Sequence, residues 1–281
     1  MPKRPPVATR LSVALVSACA VIFTAATAQA QNELRVAGWN LESGGASIRT
    51  MTGYLRNAST PPTVHIWGFS EVQSDWVDDI ERALDQHGSF ELIVGTTGGA
   101  DRLVIAYDAD EFDLIAHGEL EYVLVGRRVR APLWARVRHR ASGRSFIFMV
   151  NHLYRGDEDT EGDRHRQATL LNRWAARLSV PVIAVGDYNF DWDVDDGEND
   201  HDQGYDNLVE NGTFTWVRPP DLRRTQCGSS FQSVLDFVFV SGAAQEWGGT
   251  SAIETSHAAF CPDDRDDARS SDHRPVLGMF P

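Results

Sequence analysis

Short hydrophobic runs alternate with polar segments along most of the chain, and the runs are rich in β-branched and aromatic residues. Runs of this kind predict β-strands. Apolar residues recur at helical spacing in two segments, Ser74–Gln86 and Asp163–Leu178. Because strands outnumber helices, the pattern predicts an α/β or α+β fold with substantial sheet. The predicted strands are Leu34–Asn40, Val64–Ser70, Leu103–Tyr107, Leu133–Arg138, Phe146–His152, Val182–Asp187, Leu235–Val240 and Pro275–Phe280.

Several of these strands stop at polar or charged side chains. A buried run that ends in a carboxylate, amide or imidazole is the usual way in which the edge of a sheet presents a site. If the strand ends converge, one cleft contains carboxylates, amides and a histidine. The residues at these ends are Asn40, Glu71, Asn151, His152, Asp187 and Asn189.

The residue types at the strand ends indicate hydrolysis with a hard metal ion. Carboxylates such as Glu71 and Asp272 suit Mg²⁺, Mn²⁺ or Ca²⁺, and histidine can act as base or acid near neutral pH. No cysteine lies in these segments, and the sequence contains neither a Gly-x-Ser-x-Gly elbow nor a phosphate-binding Gly-x-x-x-x-Gly-Lys loop. Together these features indicate water attacking a phosphoryl centre.

Six short motifs, in this order, resemble those of the endonuclease/exonuclease/phosphatase superfamily. That family includes pancreatic-type deoxyribonuclease, exonuclease III-like nucleases, sphingomyelinases and inositol-polyphosphate phosphatases. Each motif alone is weak evidence, but the six together span Leu34 to Phe280. The resemblance implies a deoxyribonuclease I-like four-layer α/β sandwich, in which two packed mixed β-sheets are flanked by helices. The motifs are Trp39-Asn40-Leu41, Phe69-Ser70-Glu71-Val72, Asn151-His152-Leu153, Gly186-Asp187-Tyr188-Asn189-Phe190, Leu235-Asp236-Phe237-Val238-Phe239 and Ser271-Asp272-His273-Arg274-Pro275.

The resemblance also implies a metal-binding set and a group that positions the substrate. Glu71 would bind the essential Mg²⁺ or Mn²⁺, assisted by Asn40 and Asp272. Asp187 and Asn189 would orient the attacking water and the phosphate.

Two histidines complete the implied catalytic set. His273, oriented by Asp236, would bind the scissile phosphate or act as base. His152 would stabilise the phosphate or protonate the leaving oxygen. Asp101 resembles the acidic residue that orients this second histidine in the deoxyribonuclease branch, and Arg130 resembles that branch's phosphate-contacting arginine.

Taken singly, most of these residues also have a structural explanation. Asn40 is compatible with a strand cap, Glu71 with a cap of the helix that begins near Ser74, and a lone His152 with a structural histidine. Asp236 differs, because a carboxylate inside an apolar strand is costly to bury unless it is paired. The agreement of all six motifs favours a site.

The N-terminus predicts export from the cytosol. A basic start, an apolar stretch over 11–28 and Ala28-Gln29-Ala30 are typical of a signal peptide at 1–30, followed by a single mature domain at 31–281. A retained membrane anchor and lipid attachment at Cys19 are the alternatives, and the apolar residues after Cys19 argue against the second. We therefore expect a secreted or periplasmic monomer without a transmembrane segment in its mature part.

The charge balance restricts the substrates. The chain has a formal charge of −14, and without Lys3, Arg4 and Arg10 it keeps 40 acidic residues against 23 arginines, a charge of −17. This balance opposes nonspecific binding of polyanions, so a nucleic acid would need a local arginine cluster and bound metal. The arginine-rich stretch 127–140 is either such a cluster or a solvated strand face.

Two cysteines, Cys227 and Cys261, follow the predicted signal peptide. An even number in an oxidising compartment predicts one disulfide, Cys227–Cys261, with two buried free thiols as the alternative.

A dense acidic segment follows the motif that contains Asp187. Like charges at this density repel unless they are neutralised, so a structural Ca²⁺ site is one interpretation and a solvated loop is the other. No register reproduces the twelve-residue EF-hand loop. The candidate ligands are Asp191, Asp193, Asp195, Asp200 and Asp202.

Three functions follow from these observations. The first is a secreted phosphodiesterase or nuclease, favoured by Asp101 and Arg130, although Gly99 stands where the deoxyribonuclease branch has a tyrosine. The second is a sphingomyelinase-like or small-molecule phosphatase. The third, a non-catalytic binding relative, is disfavoured by the intact set of carboxylates and histidines. The loops decide substrate choice on such a fold.

Overall fold

The computed structural model describes Met1 and residues 33–57, 63–126, 130–156, 161–228, 232–255 and 270–281. The predicted signal peptide lies almost entirely outside these residues, and so does Cys261. Cleavage after residue 30 and the Cys227–Cys261 disulfide therefore stay predictions. All helices and strands of the described residues lie within Leu34–Pro281, which forms one compact unit.

Twelve strands of the described residues form two six-stranded sheets. β1 is parallel to β2 and β7 is parallel to β8, whereas the other neighbouring strands are antiparallel. The first sheet has the order β11 (Thr250–Ile253), β12 (Val276–Phe280), β1 (Leu34–Asn40), β2 (Ile66–Gln73), β4 (Asp101–Asp108) and β3 (Phe90–Val94). The second has the order β5 (Phe112–Glu119), β6 (Leu133–His139), β7 (Ser145–His152), β8 (Val182–Asp193), β10 (Ser233–Ser241) and β9 (Phe214–Trp216).

Helices cover the outer face of each sheet. Alternate side chains of the interior strands pack against these helices, and the others pack between the sheets. Side chains of a strand point to opposite faces in turn. In β1, Val36 packs between the sheets together with Val185, whereas Trp39 packs outward against Met51 and Ile80. The outer face of the second sheet packs in the same way against the other two helices. The four-layer sandwich of two mixed sheets is therefore confirmed.

The helices differ from the predicted ones mainly at their ends. The predicted helix Ser74–Gln86 is a 3-10 turn, Ser74–Trp76, followed by a shorter α-helix, and the second predicted helix begins and ends earlier than expected. No helix within the described ranges is long and apolar enough to cross a membrane. The α-helices are α1 (Ile48–Arg56), α2 (Val77–Leu84), α3 (Glu161–Ala175) and α4 (Gln203–Val209).

Glycines allow the two sheets to approach closely. Gly38 and Gly68 are register partners on β1 and β2. A Cβ atom on Gly68 would lie 2.7 Å from Cγ2 of Val185 and 2.9 Å from Cβ of Val150, both in the second sheet. Real Cβ atoms do not approach other carbons so closely, so only glycine fits this contact without displacement of the sheets.

We expect Gly68→Ala to lower the free energy of unfolding by about 1–3 kcal/mol, because an added methyl group overpacks the interior. Urea denaturation measures the change. The matched control is Gly53→Ala in α1, where no atom lies within 4 Å of the added Cβ. That substitution should instead stabilise the protein by up to about 1 kcal/mol, since alanine favours the helix. Equal stabilities of Gly68→Ala and the wild type would contradict the close approach.

Candidate active site

Strand ends from both sheets bring four of the predicted residues together. Asn40 Nδ2 donates hydrogen bonds to Glu71 Oε1 at 3.2 Å and to Asp187 Oδ2 at 3.1 Å. His152 Nε2 lies 3.8 Å from Glu71 Oε1 and 3.6 Å from Asp187 Oδ2. β1 and β2 supply Asn40 and Glu71, and β7 and β8 supply His152 and Asp187. Each sheet therefore contributes half of this group.

Two of the residues predicted from the six motifs have a left-handed backbone inside a strand. The φ angles are 55° at Glu71 and 53° at Asn189, and the β2–β4 register shifts between Phe69 and Val72. Such a conformation costs a non-glycine residue about 1–2 kcal/mol and is concentrated at functional sites. The irregular backbone changes the direction of the Glu71 and Asn189 side chains from the one that a regular strand would give them.

Hydrogen bonds hold the irregular part of β8 after Asp187, where the register between β8 and β10 shifts. The backbone N–H of Asn189 donates to Asp187 Oδ1 at 3.0 Å, and Asn189 Nδ2 donates to the carbonyl of Leu153 at 3.1 Å. The preceding Gly186 has φ 130°, and a Cβ atom there would lie 2.1 Å from the carbonyl oxygen of Asn151. These contacts fix Asp187 and Asn189 beside the end of β7.

His273 and Asp236 form a buried pair. A hydrogen bond of 2.7 Å joins His273 Nδ1 to Asp236 Oδ2, and the two residues are 5% and 1% exposed. The other ring nitrogen, Nε2, lies 3.8 Å from Asp187 Oδ2 and 3.8 Å from Asp272 Oδ1. Burial lowers the pKa of His273, but the carboxylates of Asp236, Asp187 and Asp272 outweigh it and raise the pKa to about 10. Asp236 thus orients the ring so that Nε2 faces Asp187 and the residues around it.

Thr225 supports this pair, and the sequence alone did not indicate it. Its fully buried hydroxyl accepts hydrogen bonds from the backbone N–H groups of Leu235 at 2.9 Å and Asp236 at 3.1 Å. Its carbonyl accepts one from the backbone N–H of Arg274 at 2.8 Å. Thr225 therefore connects the backbone at Asp236 to the backbone next to His273. A threonine in a segment without strand or helix periodicity gives no signal of this role.

Ser271 anchors the segment that contains His273 to β1. Its hydroxyl donates to the carbonyl of Asn40 at 2.6 Å and accepts from the backbone N–H of His273 at 2.9 Å. The indole Nε1 of Trp39 donates to the carbonyl of His273 at 3.0 Å. Trp39 and Ser271 both belong to the six sequence motifs, but these contacts form only in the folded chain.

Glu42 is a further acidic residue at this edge that sequence reasoning missed. Its carboxylate accepts a hydrogen bond from the backbone N–H of Asp272 at 2.9 Å, and its own N–H donates to Asn40 Oδ1 at 3.0 Å. Burial and the nearby carboxylates of Asp272 and Glu71 raise the pKa of Glu42. The only signal in the sequence is an acidic residue two positions after Asn40.

Asp101 does not orient His152 as expected. Asp101 Oδ2 forms an ion pair with Arg130 Nη2, and Arg130 Nε donates to the Asp101 carbonyl at 3.3 Å. His152 Nδ1 has no hydrogen-bond partner among the described residues. Arg130 nevertheless lies near the site, because Glu71 and Asp187 raise its pKa while burial, the larger effect, lowers it. Burial, Arg130 and His273 hold the pKa of His152 well below its usual value.

Glu119 organises the loop beside Arg130. Its carboxylate accepts hydrogen bonds from the backbone N–H groups of Thr96 at 2.9 Å and Thr97 at 3.2 Å, and from both hydroxyls. Thr97 Oγ1 in turn accepts from the backbone N–H of Ala131 at 2.9 Å. Burial acts to raise the pKa of Glu119, but these hydrogen bonds outweigh it and lower the pKa.

We expect Glu119→Gln to lower the free energy of unfolding at pH 7 by about 1 kcal/mol, the contribution of hydrogen bonds to a partly solvated charge. A lowered folded-state pKa stabilises the protein above the unfolded-state pKa, and this contribution disappears as the pH falls through the folded-state value. The difference from the wild type should therefore shrink below about pH 4.5. Urea denaturation between pH 7 and pH 3.5 tests this, with the exposed Glu121→Gln as control. A difference that stays constant with pH would contradict it.

The carboxylates at the strand ends fit a hard cation. Burial raises the pKa of Asp187 to about 7, with Asp236 and Glu71 adding to the shift and His273 opposing it. Burial and Glu71 likewise raise the pKa of Asp272. Ligand atoms of Asp187, Asp236 and His273 lie within 4.8 Å of one another. So much negative charge in one buried place is favourable only when a positive charge neutralises it, and oxygen donors suit Mg²⁺ or Mn²⁺.

The Asn40 amide contacts both neighbouring acidic residues and the backbone, and its expected role beside the metal stays a prediction. Its Oδ1 accepts the backbone N–H of Glu42, and its Nδ2 donates to Glu71 and Asp187. It therefore holds the two carboxylates side by side, while Glu71 and Asp272 remain the acidic residues placed to bind a cation.

The calcium site in the acidic segment that begins at the end of β8 stays a prediction. Asp202 Oδ2 pairs with Arg164 Nη2 at 2.5 Å and with His165 Nε2 at 2.9 Å, and its Oδ1 accepts from the N–H of Gly204 at the start of α4. Asp193 Oδ1 accepts from two backbone N–H groups of its own turn. Of the segment's candidate ligands, only Asp202 belongs to one of the two metal-compatible groups among the described residues, together with Glu161 and His165. Asp195 and Asp200 are exposed, as in a solvated loop, whereas burial and the carboxylates of Asp202 and Asp200 raise the pKa of Asp191.

Exposed ion pairs use part of the arginine-rich stretch. Arg138 Nη2 lies 2.6 Å from Asp113 Oδ2, and Arg140 Nε lies 2.9 Å from Asp113 Oδ1. These contacts favour a solvated strand face for this part of the stretch.

Comparison with known proteins identifies the family. The sequence model of the endonuclease/exonuclease/phosphatase family matches residues 37–273. The chain belongs to this family. The matched range contains Asn40, Glu71, Asp187 and His273, and it thus includes both sheets' contributions to the site. No curated protein matches the chain.

Solved structures of family members share the fold at low sequence identity. Danio rerio TDP2 complexed with a single-strand DNA product has a TM-score of 0.70 and 16% identity, over 89% of this chain and 99% of that one. A mannosyl-6-phosphatase of Bacteroides thetaiotaomicron has a TM-score of 0.64 and 20% identity, over 88% and 99%. The human nocturnin catalytic domain with bound sulfate has a TM-score of 0.60 and 16% identity, over 89% and 93%. Identities this low show a common fold and leave the substrate open.

Proposed function

We propose that this protein is a divalent-metal-dependent phosphoesterase that hydrolyses phosphodiester bonds by activating water. The observation that supports it most is the meeting of Asn40, Glu71, His152 and Asp187 with the Asp236–His273 pair, drawn from both sheets. Members of the endonuclease/exonuclease/phosphatase family are phosphoester hydrolases, and the chain has their fold. Carboxylates and imidazoles arranged around one point are the groups that phosphoryl hydrolysis requires.

Each residue of the site has a distinct role in the proposed reaction. A divalent cation held by Glu71 and Asp272 would, when bound, polarise a phosphoryl oxygen and neutralise developing charge. Asp187 Oδ2 lies between the Nε2 atoms of His152 and His273, at 3.6 Å and 3.8 Å. In this arrangement Asp187 accepts a proton from the attacking water, and the positively charged His273 donates a hydrogen bond to the phosphate. His152, which is neutral because burial lowers its pKa, stabilises the phosphate by a hydrogen bond from Nε2, and the leaving oxygen takes up a proton from solvent. Loss of one donor of this kind costs about 10²–10³-fold in rate.

Two substrate classes agree with different observations. The single-strand DNA product bound to a TDP2 relative supports a nucleic acid. The formal charge of −14 opposes a long polyanion and favours a small phosphate ester. We propose a phosphodiester as the substrate, with a small phosphomonoester as the second candidate.

A metal-dependent activity panel tests the function. The purified protein is treated with EDTA, supplied with Mg²⁺, Mn²⁺ or Ca²⁺, and assayed on plasmid DNA, bis-p-nitrophenyl phosphate, p-nitrophenyl phosphate and sphingomyelin. We expect turnover that requires the metal and is lost in His273→Ala. Turnover of the monoester alone would move the proposal to the second candidate, and no turnover with any metal would refute it.

We also propose that the protein acts outside the cytosol as a monomer. The sequence of residues 1–30 supports export, and Cys227 and Cys261 would then form a disulfide. Mass spectrometry of the mature protein should show an N-terminus at Gln31 and a Cys227–Cys261 peptide that separates on reduction. A retained N-terminus would refute export by this route.

A further inference from the structure

A cavity of about 470 Å³ lies directly beside the proposed reaction centre. It is lined by Ser43, Gln73, Ser74, Asp75, Ala100 and Asp101. This volume lies within the range of small-molecule sites.

Two of the lining residues connect the cavity to the reaction centre. The backbone N–H and the hydroxyl of Ser43 donate to Glu71 Oε2 at 3.2 Å and 3.4 Å. Asp101 pairs with Arg130, whose guanidinium interacts with Glu71 and Asp187. A phosphate ester bound at the strand ends would therefore place one of its alcohol groups at the mouth of this cavity.

Among the described residues, which leave out Arg127 and Arg128, the lining has acidic and neutral polar groups but no cationic side chain. Asp75 and Asp101 carry carboxylates, whereas Ser43, Gln73 and Ser74 carry hydroxyl or amide groups. Arg130 is already paired with Asp101, and Arg102 Nη1 donates to the carbonyl of Gly95 at 2.8 Å. A second phosphate in the cavity would meet the exposed carboxylate of Asp75, while the guanidinium of Arg130 is already engaged by Asp101, and this is unfavourable. Sugar or polyol hydroxyls, in contrast, can donate to carboxylates and exchange hydrogen bonds with the neutral groups.

We propose that this cavity binds the neutral, hydroxyl-rich alcohol group of the substrate and excludes an alcohol that carries a second phosphate. This inference rests on the proposed phosphoesterase function and narrows its substrate class. The preferred substrate is then a phosphate ester of a sugar or polyol, or the end of a chain, and the interior of a polynucleotide is disfavoured.

Matched substrate pairs test the inference on the full-length protein. One pair is glucose 6-phosphate and glucose 1,6-bisphosphate. The other is thymidylyl-thymidine without and with a phosphate at each end. p-Nitrophenyl phosphate and its bis-ester serve as references for the chemistry. In each pair the member without the extra phosphates should have a kcat/KM higher by about tenfold or more, because like charges placed together are strongly disfavoured.

A charge reversal in the cavity has a matched control outside it. Asp75 lines the cavity and Asp78 does not, although both are exposed and lie near the start of α2. Asp75→Lys should reduce the preference for the neutral member by about fivefold, the upper range for an exposed charge pair. Asp78→Lys makes the same change in net charge and should leave the preference within about twofold.

The outcomes separate the two proposals. Turnover of the references without a preference in either pair, or equal effects of the two lysine variants, would overturn the cavity assignment and leave the phosphoesterase function standing. No turnover of the references with any metal would refute the function and the inference together.

Discussion

Replacing Asp236 by asparagine should lower kcat/KM for the aryl phosphoester substrates by about 10³–10⁴-fold, as expected when a histidine loses the carboxylate that fixes its tautomer. The 2.7 Å hydrogen bond to His273 Nδ1 requires an acceptor at this position. Burial lowers the pKa of His273, and the Asp236 carboxylate is also the main group that raises it. With asparagine the imidazole becomes neutral and loses the positive charge with which Nε2 donates to the phosphate. Steady-state kinetics with saturating metal measures the loss.

The shape of the side chain is unchanged in this variant, so the fold should persist. Asp113→Asn is the matched control, because Asp113 pairs with Arg138 and Arg140 on a solvated face, and it should keep nearly full activity. If Asp236→Asn kept more than about a tenth of the wild-type rate with an unchanged melting temperature, Asp236 would not have the orienting role assigned to it.

Replacing Arg164 by methionine should lower the free energy of unfolding by about 3–5 kcal/mol, the usual cost of breaking a buried ion pair from one side. Arg164 and the side chain of Asp202 are nearly inaccessible to solvent. Arg164 Nη1 also donates to the carbonyls of Tyr154 and Arg155. The variant leaves a carboxylate and two carbonyls without this partner in the interior. Urea denaturation monitored by circular dichroism measures the change.

The exposed Arg166, two residues further along α3, provides the comparison. Arg166→Met removes the same charge from the same helix and should change stability by less than about 0.5 kcal/mol, as surface substitutions usually do. Because Arg164 holds the segment just after His152, its loss should also reduce kcat. Equal destabilisation by both variants would show that the buried pair does not contribute as expected.

The strands that the sequence did not predict are the four at the edges of the sheets. β3 and β11 border the first sheet, and β5 and β9 border the second. An interior strand is covered on both sides and is recognised by its continuous apolar run, whereas edge strands are short or carry polar residues that discourage pairing with other chains. β9 has three residues, and β5 exposes three consecutive residues, Ile115, Ala116 and His117. Apolar periodicity therefore identified the interior of each sheet and missed its borders.

The sequence predicts which residues lie at the strand ends of the candidate site. It does not predict contacts between residues that are distant in the chain, because those depend on the fold. The ordered motifs located Asn40, Glu71, Asp187 and His273. The partner of Asp101 depended on which side chain β4 and the loop before β6 would bring together, and the structure supplies Arg130 instead of His152. Asp202 looked like a calcium ligand because its neighbours are acidic, but a buried arginine on α3 pairs with it.

Because each sheet supplies part of the reaction centre, activity requires that the two sheets have docked. Glu71 belongs to one sheet and Asp187 to the other, and the shared Asn40 amide joins them across the interface. A chain that has formed all its strands but has not yet docked the sheets has the complete set of catalytic side chains without a functioning centre. Such an intermediate would have no activity but would give the full far-ultraviolet circular dichroism signal of its strands. During refolding, the delay between recovery of this signal and recovery of activity would therefore measure how long the two sheets take to dock.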